Sequence, residues 1–402
     1  LVSLAAQLGT LALTIYYFHK IPIISLLANI IVVPLIGVVV ATGMSFLLLG
    51  AIFPVLAELW AHTLEAIIDL LLWFVRSCAN VDWALVDIPT IQVYEAYFIL
   101  ICVFLLTVLP IRRVLKLWLI VLLIWGNSAI WRSLNEPLDL EVVMLDVGQG
   151  DALVIHAPNG KTILIDAGFR FGGQDMGKDI ILPYLLARNW LHIDLLVLTH
   201  PHNDHMGGAE YLVSNLQIDR VLLPDIEYDS YGYNKLIDVL EALEIPKSDL
   251  FAGAIDSSLK PVYLRVMAPK VYKPETKPSN VNNTSIVLQL FYGESTIMLT
   301  GDAEDEVEVD QLPFGSLLKC DIIKAPHHGS KTSSSPDYLK RTRPDIALMS
   351  LADNNKFRHP APITLKNYEA IGTTINRTDL EGAIVYRSNG YKWTKVNWRA
   401  DI

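Results

Sequence analysis

The first third of this chain cannot fold as an ordinary water-soluble core. Apolar runs at positions 1–18, 24–49, 54–74, 93–109 and 114–131 approach the roughly 20 residues that a helix needs to cross a bilayer core. Residues 1–137 carry six Lys/Arg and seven Asp/Glu. By difference from the totals of 32 and 42, the other 265 residues carry 26 and 35. Nearly all of the net charge of −10 therefore lies in the second part. The sequence divides into a helical transmembrane segment (1–135) and a globular α/β domain (138–402).

Two runs have internal features. The run 24–49 contains Pro34, Gly37 and Gly43, so a broken or re-entrant helix is expected, with the freed backbone groups satisfied by protein. In the run 54–74, Glu58, His62, Glu65 and Asp69 fall at i, i+4, i+7 and i+11 and share one helical face. That face suits either the lining of an aqueous passage or an amphipathic helix lying in the membrane interface. Orientation follows from the short connections. Arg112, Arg113 and Lys116 lie in the turn at 110–116, whereas 78–92 contains Asp82 and Asp87 and no base. A basic short loop stays cytoplasmic, which places the globular part on the extracytoplasmic side. With Leu1 first and no basic segment ahead of the apolar run, the chain reads as the C-terminal portion of a longer protein.

Several classes are excluded. Cys78, Cys102 and Cys320 are too few and too scattered for a disulfide framework or a Cys-type zinc site. The acidic balance argues against coating nucleic acid by bulk charge, so an anionic substrate needs a local holder such as a metal ion. From about Leu138, short Val/Ile/Leu runs at 140–145, 152–156, 162–165, 195–199, 221–223, 285–290, 296–299, 322–324 and 346–349 alternate with turns. Helix-like stretches fall at 180–189, 208–216 and 235–243, and 228–233 and 272–283 have the composition of surface loops. This alternation predicts two packed sheets with helices outside.

The chemistry concentrates in Leu195-Leu-Val-Leu-Thr-His200-Pro-His202-Asn-Asp204-His205-Met-Gly-Gly. A buried strand ends there, and four potential ligands follow within six positions. In an extended segment His200 and His202 point the same way while Asp204 and His205 turn elsewhere, so one loop can feed two ions. Imidazole with carboxylate suits Zn²⁺, Fe or Mn²⁺, and two ions ~3.5–4 Å apart can clamp a displacement at phosphorus.

The pattern His-x-His-x-Asp-His after a buried strand resembles the metallo-β-lactamase superfamily. Further blocks narrow the likeness: Asp146-Val-Gly-Gln-Gly-Asp151, Ile165-Asp-Ala-Gly168, Leu299-Thr-Gly-Asp302, Lys324-Ala-Pro-His327-His328-Gly-Ser-Lys-Thr332 and Phe357-Arg-His359-Pro360. In this order, behind a polytopic apolar segment, they resemble the ComEC-type competence proteins that take up DNA. The stretch 23–37 is similar to the end of their channel domain. The resemblance implies a four-layer αβ/βα sandwich. It implies one metal on His200 and His202, a second on Asp204 and His205, and Asp302 bridging both. The pair His327-His328 matches the last ligand position. His328 is the expected ligand, with His327 facing substrate or protonating a leaving group; the reverse assignment is the alternative. Asp166 matches a residue that orients ligands from behind. Asp146, Gln149 and Asp151 lie in a Gly-rich turn that either approaches the cleft or is structural.

Many superfamily members supply another His between the main loop and the bridging Asp, and this chain has none between His205 and Asp302. Asn283 and Ser285, in Asn282-Asn283-Thr284-Ser285, are candidates to complete the site or hold phosphate. A poorer nitrogen set shifts preference toward Mn²⁺ or Mg²⁺. His359, Ser330 and Lys331 are expected along the cleft, with Lys324 and Arg358 as basic groups near it; His19, His156 and His192 are read as incidental. The resulting expectation is a multi-pass protein of the cytoplasmic membrane, in contact with lipid, single- or double-stranded DNA and other competence proteins. Its C-terminal domain would be a phosphodiesterase with two divalent ions (Zn or Mn) that degrades the strand not transported. The competing readings are a domain that binds metal or DNA without hydrolysis, and a metallohydrolase for another phosphodiester. Tyr228, Tyr231 and Tyr233 would matter to the last if they formed an aromatic cage.

Overall fold

A computed structural model describes residues 2–18, 20–50, 52–79, 81, 83–87, 91, 93–108, scattered positions from 116 to 131, 139–248, 250–270 and 280–398. It forms two compact units: Leu1–Asn135 with Leu186–Asn189, and Glu136–Leu185 with Trp190–Ile402.

In the first unit, helices Val2–Phe18, Ser25–Gly50, Pro54–Ala79 and Val93–Val108 follow the apolar runs. The short strands Lys20–Pro22 and Leu85–Asp87 pair antiparallel. The expected break in the second helix is absent: Ser25–Gly50 runs unbroken through Pro34. A proline removes one i→i−4 bond and leaves the ladder on either side intact. Among the described residues one helix, Ser25–Leu48, is long and apolar enough to cross a membrane, and none of it is buried within the protein. Glu58, His62, Glu65 and Asp69 all lie exposed on Pro54–Ala79, with His62 Nδ1 3.6 Å from Glu65 Oε2. The run 114–131 and the basic turn 110–116 fall mostly outside the described residues.

The second unit is built on two mixed sheets. The eight-stranded sheet has the spatial order Lys247–Ser248, Val221–Leu222, Leu195–Val197, Thr162–Ile165, Leu153–His156, Leu140–Met144, Ile384–Ser388, Trp393–Val396. The seven-stranded sheet has the order Ile255–Asp256, Tyr263–Ala268, Val287–Tyr292, Ser295–Leu299, Ile322–Lys324, Ile346–Met349, Thr374–Arg377. Alternate residues face opposite sides of a strand. Thus Leu288, Leu290, Ile297 and Leu299 join Val142, Ile155 and Ile163 in one core. Val287, Met298 and Ile323 join Val307, Leu339 and Tyr368 in another. The first core unites the sheets, and the second seats the helices of the seven-stranded sheet.

Every expected strand run contains a strand; Tyr263–Ala268, Thr374–Arg377, Ile384–Ser388 and Trp393–Val396 are the longer strands beyond those runs. Their stability comes from distant partners. Arg265 donates from Nη1 to Gln289 Oε1 at 2.9 Å across the register, and Ile384–Ser388 pairs with Leu140–Met144 from the far end of the domain. The expected loops 228–233 and 272–283 are corrected only at their ends: the helix expected at 235–243 starts earlier, and 272–279 lies outside the described residues. Tyr231–Ala242 is a helix, started by the Ser230 hydroxyl accepting from Tyr233 N at 3.2 Å. Val281–Thr284 is a 3₁₀ turn with Asn282 and Asn283 buried, where their Nδ2 groups donate to Glu304 and Glu306.

Candidate metal centre

Six ligand candidates from three distant stretches meet at the ends of strands. Leu195–Val197 delivers His200 and His202, and the following turn of helix, Asn203–Met206, carries Asp204 and His205. Ser295–Leu299 delivers Asp302, and Ile322–Lys324 leads to His328. His205 Nε2 is 3.2 Å from Asp302 Oδ1. His328 Nε2 is 3.7 Å from both Asp204 Oδ2 and Asp302 Oδ2. His200 Nε2 and His202 Nδ1 are 3.1 Å apart, close to the ~3.3 Å expected for two nitrogens about 2.0–2.1 Å from one tetrahedral ion. Asp151, His205, Asp302 and His328 form a buried group whose ligand atoms all lie within 4.8 Å of one another.

The hydrogen bonds behind the rings set their tautomers. Asp166 accepts from Thr199 N at 2.7 Å, from Thr199 Oγ1 at 2.8 Å and from His205 Nδ1 at 2.7 Å. With its own hydrogen committed to Asp166, Thr199 Oγ1 accepts from His200 Nδ1 at 3.3 Å. His328 Nδ1 donates to Ser350 O at 3.0 Å. In each ring Nδ1 faces the protein and Nε2 faces the cluster, the arrangement that second-sphere partners impose on metal-binding histidines. Among the described residues, His205 Nε2 and His328 Nε2 are buried without a hydrogen-bond partner. Asp151 and Asp302 share one buried ammonium, Lys324, and the equally buried Asp166 is paired with His205. Unpaired nitrogens and surplus buried negative charge fit divalent cations, and the mixed N/O donors suit Zn²⁺ or Mn²⁺.

The electrostatics agree. Burial opposes ionisation of Asp302, yet His205, His328 and Lys324 hold its carboxyl well below the usual range. Asp151 is lowered to about 2 against its burial by Lys324, His328 and His205. Burial and His205 keep His200 well below the usual imidazole value, hence neutral and able to ligate.

The chain bends sharply to divide the histidine pair. His327 (φ 49°) and His328 (φ 53°) both have left-handed backbone, a costly conformation for residues with a Cβ that is found at functional sites. It turns His328 inward, fully buried, and leaves His327 a quarter exposed above the cluster, with Nε2 3.9 Å from Asp302 Oδ2. His327 Nδ1 is 3.1 Å from Glu304 Oε1. The His359 ring lies 5.6 Å from that of His327.

The remaining expected residues take other places. Asp151 is inside the group and ion-paired with Lys324. Its turn is locked to the metal loop by Asp151 N donating to Asp204 O at 3.1 Å, and a Cβ at Gly150 would overlap that carbonyl. Lys324 is buried among carboxylates, reaching Gly301 O at 2.7 Å and Asp302 Oδ1 at 3.4 Å, so it is no surface cation for substrate. Ser285 Oγ accepts from Asp302 N at 3.1 Å and thereby helps to fix the position of Asp302. The Asn283 amide is engaged elsewhere: it accepts from Glu304 N and donates to Glu306. Ser330 is buried and bonded to Thr332 within its own loop. Lys331 is exposed. His192 is not isolated, because Asp194 and Asp219 lie beside it on the surface. Tyr228 is 6.2 Å from His202 and 5.9 Å from Tyr233, ring to ring. Sequence reading missed Glu304 and Thr199. Thr199 adjoins His200, a position from which its role was open to inference, whereas nothing local marks Glu304.

Comparison with known proteins agrees with this architecture. Residues 1–113 match the competence protein family, and residues 145–249 match the metallo-beta-lactamase superfamily. ComE operon protein 3 of Bacillus subtilis is 29% identical over 409 residues, covering 96% of this chain and 51% of its own length. Recombination protein 2 of Haemophilus influenzae is 30% identical over 264 residues, covering 66% of this chain and 31% of its own. Ribonuclease J of Helicobacter pylori is 26% identical over 249 residues, covering 56% and 32%. The chain thus spans from a third to about half of the length of these curated relatives. The chain thus carries a competence-protein segment followed by a metallo-beta-lactamase segment, and it is homologous to ComE operon protein 3 along nearly its whole length.

Proposed function

We propose that the chain serves DNA uptake across the cytoplasmic membrane and that its globular half hydrolyses phosphodiester bonds of DNA with two divalent ions, Zn²⁺ or Mn²⁺. The observation that carries this reading is the convergence of His200, His202, Asp204, His205, Asp302 and His328, with two buried Nε2 atoms beside carboxylates and without a hydrogen-bond partner among the described residues. When bound, the ions supply the Lewis acidity and the activation of water that such a hydrolysis needs. The protein supplies the rest. Asp166, Thr199 and Ser350 hold the rings in the ligating tautomer. Ser285 and Lys324 hold Asp302. His327, steadied at Nδ1 by Glu304, turns Nε2 to the cluster and delivers a proton to the leaving oxygen.

The relative named Ribonuclease J supports a nuclease among the metal-dependent hydrolases. On this reading the hydrolase is extracytoplasmic, several helices beside Ser25–Leu48 span the membrane, and the strand not imported is degraded. The partners are DNA, membrane lipid and other competence proteins. The test is incubation of the full chain in detergent with end-labelled single-stranded DNA and Mn²⁺ or Zn²⁺, beside Asp302→Ala. Cleavage by the parent alone supports the hydrolase. Metal binding without cleavage by either protein means that the domain binds but does not cut.

A further inference from the structure

Beside the metal cluster runs a short loop whose exposed side chains the hydrolytic chemistry does not use. It begins at Ser350, whose carbonyl accepts from His328, and ends at His359. Its tip reads Asn354-Asn355-Lys356-Phe357-Arg358, two cations flanking an aromatic ring. Phe357 is 53% exposed. Its ring is nearly parallel to that of His359, at 12° and 5.9 Å between centroids. His359 in turn lies 5.6 Å from His327, whose Nε2 faces Asp302. Lys356 Nζ stands 5.0 Å from the centre of the Phe357 ring. Among the described residues neither Lys356 nor Arg358 has an acidic partner within 4 Å, in a domain of strongly negative charge.

The loop is also held in shape. Asn355 donates from Nδ2 to Ala352 O at 3.2 Å and to His359 O at 2.7 Å, and accepts at Oδ1 from His359 N at 2.9 Å. Asn354 and Arg358 have left-handed backbone, at φ 53° and 59°, a strain that persists where surrounding structure enforces it. Ala361 N donates to Gly329 O at 2.9 Å, tying the far end to the turn that carries His328. A fixed aromatic face between two unpaired cations is the arrangement that grips single strands, in which bases stack on rings and cations follow phosphates.

We propose that Phe357 is a stacking platform for an unpaired nucleobase next to the phosphate held at the metal cluster, with Lys356 and Arg358 on the flanking phosphates. This rests on the hydrolytic reading above and specifies its substrate as single-stranded nucleic acid. A base inside a duplex has both faces covered and cannot use the platform.

The test uses the full chain in detergent with a single-stranded oligodeoxynucleotide containing 2-aminopurine, whose fluorescence is quenched by stacking. Binding is read without added metal, and hydrolysis of bis(p-nitrophenyl) phosphate, which has no base, is read with Mn²⁺. Phe357→Ala is expected to lose most of the quenching and to bind the oligonucleotide about tenfold or more weakly. Phe357→Trp is expected to retain both, and the parent to hydrolyse the small diester. Equal quenching and affinity in Phe357→Ala overturns the platform. So does a loss of binding to phosphatidylglycerol vesicles with oligonucleotide binding intact, which assigns the loop to lipid. If no protein hydrolyses the diester but quenching still depends on Phe357, the platform stands and the hydrolytic reading falls.

Discussion

Oδ2 of Asp166 lies 2.7 Å from Nδ1 of His205, and this contact decides which ring nitrogen can meet a metal. The same carboxylate reaches His200 through the Thr199 hydroxyl. One acidic side chain thus orients a ring from each of the two expected metal positions.

Replacing Asp166 with Asn keeps the shape but allows the amide to donate to His205 Nδ1, which favours the wrong tautomer. Divalent-metal affinity is expected to fall about 10–100-fold, the usual cost of losing such a partner. Competition with a chromophoric chelator measures it, and an unchanged affinity would detach Asp166 from the centre.

Lys324 and Asp151 form an ion pair that is almost completely buried. Removing one partner strands a buried charge, so Lys324→Met should cost about 3–5 kcal/mol of stability. Lys324→Met combined with Asp151→Leu should regain part of that, since Asp302 alone then remains without the ammonium. Thermal unfolding of the double variant beside Lys324→Met and Asp151→Leu alone decides the matter: purely additive losses would show that the two residues do not act as a pair.

Burial opposes a proton on His328, but Asp302 and Asp151 outweigh it and push its pKa up to about 9 from the usual 6.5. A pKa raised by folding stabilises the folded state fully below the unfolded value and loses that effect as pH rises through the folded one. With a chelator present, the melting temperature should therefore decline between about pH 6.5 and 9. Metal affinity should rise over the same window, because binding must displace the proton. A melting temperature that is flat or climbing across this range contradicts the assignment.

His327→Ala should lower oligonucleotide cleavage by about 10²–10⁴-fold, the range for a lost general acid, while leaving metal content unchanged. Glu304→Gln should show a smaller loss in the same direction. Hydrolysis of a p-nitrophenyl ester, whose leaving group departs without a proton, should suffer much less from either change. Single-turnover rates on the two substrates separate proton delivery from a general loss of folding.

The sequence disclosed the centre unevenly. Four of its candidate ligands stand within six positions, and Asp302 and His328 each follow a strand legible as a Val/Ile/Leu run. The functions of Glu304, Lys324 and Asp151 depend on contacts between segments far apart in the chain. Lys324 in particular looks like a surface cation until the fold shows it enclosed by carboxylates. Asn282 and Asn283 looked like loop residues for a similar reason: Glu304 and Glu306, which make their burial tolerable, come from a different segment. In the first unit the apolar runs gave the helices directly, whereas a proline in the second run suggested an interruption that the helix does not have.

The histidine-rich loop follows a strand of the eight-stranded sheet, while Asp302 and His328 follow strands of the seven-stranded one. Cations held there would act as rivets through the seam between the layers. The most conspicuous stretch of the chain is consequently only one jaw of a clamp. A truncated protein ending before Leu299 would retain every residue of that motif and still have nothing to close against.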